Sequence, residues 1–511
     1  MKLNIVFNFK SAPMNRLLIL SLITPLIACN GSKDDTATDD TDATIDETGG
    51  SDDTGATDDT GAPDDTGTHT FDGDTYAFTS AFTDGTSVSY SGQIFRQLLI
   101  DDMKSHLGGM TDRLVGGSFY PAPGDVEAEL NFYFEFDSDA FGDVPHLYST
   151  DGDILQETYN DVSSGKNLVE KLAGNDETGQ HRDWSTELVG WSAPGVTTPE
   201  SLVRDWFATI DAQAASWAAG AEPTGPDGAP VPAVYITPEG QDLAQLLDKF
   251  LRGALAFSQG ADDYLDDDVD GKGLLSSHLQ DGDEPYSALE HAWDEGFGYF
   301  GAARSYPDWS DADISDLDGM DVDGDGLIDL KREVNWGHSV NAGKRDGGAV
   351  VATDFTAEAW EGFYSGRLLL SETAGAELTA DQLAELQGYR DQALGAWEDA
   401  VAATVVHYIN DTLQDMGGFG GDDYSFEDHA KHWSEMKGFA LAMQFNRRSP
   451  LSEQGFAELH QLVGQAPVLE TADAQASADY AQALRDARAL LGAAYGFDTA
   501  NLGDDDGENG W

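Results

Sequence analysis

Cysteine occurs once in these 511 residues, at Cys29, so no internal disulfide can staple the fold. Cations are scarce. Against 94 Asp and Glu stand only 27 Lys and Arg, and the formal charge is −67. Nucleic acid is thereby excluded as an expected partner, because a phosphate backbone is held by clustered positive charge. Only one apolar run near the start is long enough to attract notice, and it is too short for a comfortable membrane span. The spaced motifs of catalysis are missing too. HEXXH, which sets two His ligands and a base on one helix, does not occur, nor do a GxSxG elbow, a P-loop or a cysteine pair. What is present is about 40% apolar residues, enough for a real core in one large domain or several ordinary ones.

The one apolar run, LLILSLITPLIAC, follows Lys2, Lys10 and Arg16 and has the shape of a signal peptide. It closes on Leu26-Ile27-Ala28-Cys29, which resembles a bacterial lipobox. The resemblance implies that residues 1–29 are a lipoprotein signal, that Cys29 is lipidated, and that the membrane is a partner through it. Met14 offers a second start, since MNRLLIL is a complete n-region. Asn30 follows the cysteine where an Asp resembles an inner-membrane retention signal, so an outer-membrane anchor is expected. Residues 30–75 form an acidic tether with the six-residue repeat DDTGAT, DDTGAP, DDTGTH. From Asn30 to Thr70 it has 13 acids and one Lys. Such a chain buries too little apolar surface to offset its ordering entropy, so a disordered segment is expected.

From Tyr76 the text is helical. Thr198-Pro199-Glu200 sets an N-cap before a proline, and SLVRDWFATIDAQAASWAA follows at helical spacing. Thr237-Pro238-Glu239 reads the same way for the apolar stretch through Leu265. Ser287 with Glu290 spells a capping box, as does Thr379 with Gln382. Ser425 with Asp428 and Ser452 open two further helices, and a last one runs through ASADYAQALRDARALLGAAYG. Leu386, Tyr389, Ala393, Trp397, Val401, Val405 and Tyr408 recur three or four apart and make one apolar stripe. Strand-like alternation is thin and confined to stretches near 75–82 and 129–137. The expectation is an all-α multi-helix bundle of eight to ten helices over residues 76–500, in one domain or two packed bundles. A calcium-loop-like insert at 302–335 and a disordered tail at 501–511 complete it.

The stretches SGQIFRQLLIDDM (91–103), the 241–265 helix, LEHAWDEGFGYFGAARSYPDW (289–309), VNWGHSVNAGKRD (334–346), WEDAVAATVVHYIN (397–410) and HWSEMKGFALAMQFN (432–446) resemble the DUF4856 family. The resemblance implies a bacterial secreted lipoprotein and assigns no activity. A weaker likeness is to imelysin-like proteins, all-α exported lipoproteins connected with iron acquisition and with a suggested metallopeptidase activity. Their GxHxxE motif survives here only as His432 and Glu435, with Ala430 and Lys431 in front of it.

Two groups of residues carry candidate chemistry. DVDGDGLIDLKRE, Asp321 to Glu333, resembles an EF-hand-like calcium loop. Asp321, Asp323, Asp325 and Asp329 stand at alternate ligand positions, Leu327 supplies its carbonyl, and Gly326 permits the bend. Arg332 occupies the place of the bidentate acid, and Glu333 follows one residue late. A half-copy at Asp266, Asp268 and Asp270 lacks the later ligands. The second group starts at EHAWDEGFGYFG, where His291 and Glu295 share a helix face at a spacing that can hold iron or another transition metal. A third ligand must come from another helix, with His407, Glu435, Glu398 and His432 as candidates. The bland alternative is a set of polar bridges between core helices. Arg447 and Arg448 read as a helix C-terminal charge pair, with anion binding as the lesser option.

Together these features point to a lipid-anchored, non-enzymatic binding protein. It would sit on the periplasmic or outer face of a Gram-negative outer membrane and handle a metal ion or haem. An imelysin-like metallopeptidase or other hydrolase is the alternative from another class, and a structural or partner-docking surface lipoprotein is a third.

Overall fold

The computed structural model describes residues 75–511 apart from 176–179, 317 and 423. The signal peptide, Cys29 and the tether to residue 74 lie outside the described residues. Among the described residues fifteen α-helices form: α1 (Ser91–Gly108), α2 (Met110–Val115), α3 (Asp125–Phe134), α4 (Ser138–Phe141), α5 (Tyr159–Val162), α6 (Pro199–Ala218), α7 (Leu243–Leu251), α8 (Ala288–Phe300), α9 (Asp311–Ser315), α10 (His338–Gly347), α11 (Phe355–Thr373), α12 (Ala380–Gly417), α13 (Phe426–Ala442), α14 (Glu453–Val463) and α15 (Ala474–Tyr495). The body is all-α as expected, with more helices than eight to ten because several are single turns. Among the described residues β-structure is limited to isolated bridges. No described helix is long and apolar enough to cross a membrane.

Local chemistry sets most starts. Thr198, Ser287 and Thr379 each accept the N3 amide on the side-chain oxygen and donate the backbone amide to the N3 side chain in return. Ser425 and Ser452 cap α13 and α14 in the simpler way. Thr237 is a correction. Thr237-Pro238-Glu239-Gly240 closes a turn, with the Gly240 amide 2.9 Å from the Thr237 carbonyl. α7 begins six residues after Thr237, at Leu243, behind Asp242, which accepts the amides of Ala244 and Gln245. A further correction is the weak alternation near 129–137, most of which lies in helix α3. Its aromatic residues are buried on several sides, so a two-residue period carried no information there.

α12 is the axis of the molecule. Leu386, Ala393, Trp397, Val401 and Val405 on its stripe are wholly buried, and so are Ala400, Ala402 and Ala403 between them. Its middle is therefore enclosed all round. α11 and α13 pack along it, α10 and α15 lie beside it, and α7 packs on α13 and α1. Gly253 lets α7 meet α13, since a Cβ there would lie 2.3 Å from the Ala442 methyl. α7 does not end as an α-helix. It continues through π-helical turns at Arg252–Phe257 and Gly260–Tyr264. Such widened turns shift the register of side chains and recur at functional sites.

The insert 302–335 is tied at its base, where the Trp336 amide donates to the Gly301 carbonyl at 2.8 Å and the Arg304 amide to Arg332 at 2.8 Å. Residues 501–511, expected as a loose tail, are packed instead. Trp511 is 5% exposed and donates its indole N–H to the Arg345 carbonyl at 2.9 Å, while Asn410 donates to the Trp511 carbonyl at 2.9 Å. An aromatic anchor among the polar residues of DDDGENGW fixes the segment.

Candidate functional site

The acidic turn comes first. Asp321, Asp323 and Asp325 each place a carboxylate oxygen within 4.8 Å of the others. Asp321 accepts the amides of Gly324 (2.8 Å) and Gly326 (2.9 Å), and Asp325 accepts that of Leu327 (2.8 Å). Gly326 has φ +91°, a conformation that favours glycine. Asp329 and Glu333 spend their oxygens elsewhere. Asp329 accepts from Gln156 and from Arg332, and Glu333 accepts three backbone amides of the turn. Arg332 also reaches Asp323 at 3.3 Å. The half-copy at Asp266 and Asp268 is clamped by arginine. Arg447 and Arg448 both bond Asp266 at 2.7 Å and also bond Asp267. These two arginines thus fasten α13's end to the loop after α7, beyond serving a helix dipole.

The stretch EHAWDEGFGYFG is α8, and its chemistry is structural. Arg367, wholly buried, donates to Asp294 (2.8 Å), Glu290 (2.8 Å) and Ser87 (2.6 Å). Tyr76 donates to Asp294 at 2.9 Å. Every strong group is satisfied, as a buried ion pair requires. His291 bonds the Ser89 carbonyl at 3.0 Å and stacks on Tyr286, and its contact with Glu295 is 3.8 Å. Glu295 accepts from Gln93 at 2.7 Å. Neither residue shares a wall with His407 or Glu435. The four-residue constellation His291, Glu295, His407, Glu435 does not converge. Among the described residues the Asp321, Asp323, Asp325 triad is the one group of three or more whose ligand atoms are already gathered. Glu398 is also occupied, held by Asn446 (2.5 Å), Ser449 (2.5 Å) and Tyr495 (2.6 Å).

His407, Glu435 and His432 do share a site. A cavity of about 730 Å³ opens between α1, α7, α10, α12 and α13, and all three line it. Its walls carry charges of both signs. On the α7 side Asp248 is a hub, 2% exposed, bonded to Lys249 (2.7 Å), Arg252 (2.7 Å) and Lys104 (3.1 Å). Arg252 bonds Gln97 and Asp101 with its other nitrogens. Burial pushes the Lys104 ammonium down to about 7 despite Asp248. It also pushes Asp102 up to about 7, against the hydrogen bonds from Tyr159 and the Leu147 amide.

The α12/α13 wall is different. His432 Nδ1 lies 2.9 Å from Asp415. Burial opposes the His432 cation, yet the Asp415 bond and the charges of Asp411 and Glu435 outweigh it and raise the imidazole to about 9. His407 lies 3.2 Å from Asp411, one turn on along α12. Burial and Arg345 hold His407 well below the usual imidazole range, so it is neutral. Glu435 sits 3.6 Å from Lys249 and leaves Oε2 buried without a hydrogen-bond partner. Burial would raise its carboxyl, but Lys249, Lys431 and Lys104 overcome this and lower it.

Helix α10 supplies the remaining wall through Val340, Asn341 and Lys344. Its N-cap is Gly337, with φ 57° and no side-chain cap. A Cβ at Gly337 would lie 2.9 Å from Gln97 and 3.2 Å from Arg252. Asn335, just before it, donates nothing through its buried Nδ2, while its Oδ1 accepts the Ala303 amide at 2.8 Å. Sequence reasoning picked His407, His432 and Glu435 but missed Asp411, Asp415 and the lysines. Their signal was available, since Lys104, Lys249, Lys344 and Lys431 stand out in a chain so poor in cations.

Compared with known protein families, residues 195–312 match the model of DUF4856, a domain of unknown function. The match spans α6 to the start of α9 and bears out the resemblance read from the sequence over that segment. No curated protein and no solved structure matches the chain.

Proposed function

We propose that this DUF4856-containing chain is a lipid-anchored, non-enzymatic binding protein of the bacterial cell envelope, and that its cavity takes a metal ion on the α12/α13 wall. The observation that carries the reading is the pairing of Asp415 with His432 beside the unpartnered oxygen of Glu435. A carboxylate on one imidazole nitrogen orients the ring and leaves the other nitrogen for a metal. His432, Glu435 and Asp411, with His407 next to them, are the mixed nitrogen and oxygen donors that would close on iron or zinc, their ligand atoms not being gathered beforehand as those of Asp321, Asp323 and Asp325 are. A raised His432 says that the local field favours positive charge, and a divalent cation uses the same field by displacing the proton. The mixed-sign walls suit an ion and polar ligands better than the broad apolar faces of haem.

Calcium at Asp321, Asp323 and Asp325 belongs to the same reading as a structural ion that orders the insert. Cys29 would hold the chain at the outer membrane through its lipid.

The test is calorimetric titration of the full chain, purified in detergent, with Fe(II) under anaerobic conditions and with Zn(II). Binding is expected in wild type and in His291→Ala, and its loss in His432→Ala and Glu435→Gln. Equal binding in all four proteins, or none in any, removes the reading.

A further inference from the structure

The cavity is far larger than an ion needs. About 730 Å³ is the size of a small-molecule site. Five of the chain's few cations line it: Lys104 from α1, Lys249 from α7, Arg252 from the π-helical turn that follows, Lys344 from α10 and Lys431 from α13. Arg252 has Asp248, Gln97 and Asp101 on its nitrogens, and Lys249 has Asp248 at 2.7 Å and Glu435 at 3.6 Å. Lys249, Lys344 and Lys431 lie within electrostatic reach of one another and of Glu435, and the like charges, after burial, depress Lys344 to about 8. At the approach to α10, Asn335 lines the same cavity with a buried, unpartnered amide N–H. Next to it the helix N-terminus, which favours negative charge, has a bare glycine for a cap.

A simple anion that filled this space would meet Glu435 and Asp411. A bare cation would meet three lysines. A ligand carrying both signs satisfies both walls. We infer that the metal enters as a complex with a small polycarboxylate. Its ion faces His432, Glu435 and Asp411, and its outer carboxylates face Lys249, Lys344 and Lys431, with Asn335 and the α10 N-terminus as further donors. The inference rests on the metal reading above and names the form in which the ion arrives. No covalent bond changes. The ion exchanges water or a carboxylate arm for protein donors.

Zinc chloride, citrate and zinc citrate, each titrated into the full detergent-purified chain, test it. Zinc citrate is expected to bind at least about tenfold tighter than either component, a difference of about 1.4 kcal/mol. Lys344→Gln combined with Lys431→Gln should move the two zinc forms in opposite directions, weakening zinc citrate about tenfold while leaving zinc chloride unchanged or tighter. A merely structural role for the lysines would weaken both alike. Lys431→Arg in place of Lys431→Gln should restore most of the zinc citrate affinity. If zinc chloride binds and citrate only strips it away, this proposal falls and the metal site stands. If citrate alone binds as tightly as zinc citrate, or the lysine variant shifts both zinc forms together, the proposal also falls. If neither zinc form binds, the metal reading itself fails.

Discussion

Replacing Asp248 with Asn removes the carboxylate that holds three cations at once, and the structure fixes what should follow. Asp248 is 2% exposed, and Lys249, Arg252 and Lys104 lie 2.7 to 3.1 Å from it. Deleting one partner of a buried ion pair costs about 3–5 kcal/mol, because the other charge is stranded. All three cations keep other interactions, Lys249 with Glu435 at 3.6 Å, Arg252 with Gln97 at 3.1 Å and with Asp101, and Lys104 with the charge of Glu435. Lys104, already depressed to about 7 by burial, sheds its proton once Asp248 is gone. The loss therefore sits near about 3 kcal/mol. Urea unfolding followed by circular dichroism at pH 7 measures it as a lower midpoint with an unchanged slope. The pH dependence adds a second reading. A lysine whose folded pKa lies below its unfolded 10.5 binds fewer protons when folded, so stability rises with pH from about 7 to 10.5. In Asp248→Asn that rise should begin below pH 7. A loss under about 1 kcal/mol, with no shift in where the rise begins, would refute the hub.

Lys437 offers a cleaner case of the same linkage. It is wholly buried, donates to the Gly464 carbonyl at 2.7 Å, contacts His460 at 3.0 Å, and is lowered by burial to about 7. Stability between about pH 7 and 10.5 should rise less steeply in Lys437→Met than in wild type, as read by denaturant midpoints across that range. Gly337→Ala should cost about 1–3 kcal/mol, because its backbone at φ 57° strains any side chain and the new methyl presses on Gln97 and Arg252. Thermal melts should show it, and zinc citrate affinity should fall with it. Calcium is expected to raise the melting temperature of wild type in a concentration-dependent way. Asp323→Asn should flatten that response, and an identical rise in the variant would dismiss the acidic turn as a calcium site.

Helix starts were legible because a cap is a local device. Ser287, Thr379 and Ser425 need only the next three residues to do their work, and the text contains them. Thr237 misled because the same Thr-Pro-Glu spelling serves a turn when a glycine follows at 240, and Asp242 was the nearer cap. The π-helical turns of α7 leave no sequence signature, since they are a response to packing against α13. His291 and His407 could not be placed relative to each other, because no periodicity reports which helices meet. Asp294 and Arg367 were missed for a related reason. Each looks like an ordinary exposed charge, and only their burial together, 73 residues apart, reveals the network. The alternation near 129–137 failed because Phe132, Tyr133 and Phe134 are buried at consecutive positions, while the exposed or partly exposed Glu127, Asn131 and Glu135 recur four apart, at helical spacing. The packing of residues 501–511 rests on Trp511 and on long-range bonds such as those of Asn501 with Val351 and of Arg488 with the Asp504 carbonyl, which an acidic composition does not announce.

The short stretch joining the acidic turn to the mouth of α10 has a mechanical meaning. Glu333 gathers the turn's amides with its carboxylate, and two residues later Asn335 pins the Ala303 amide, with Trp336 and Gly337 already forming part of the cavity. There is no slack between them. The acidic turn and the opening of α10 are therefore fastened to the same few peptide units, and neither is built as a separate module.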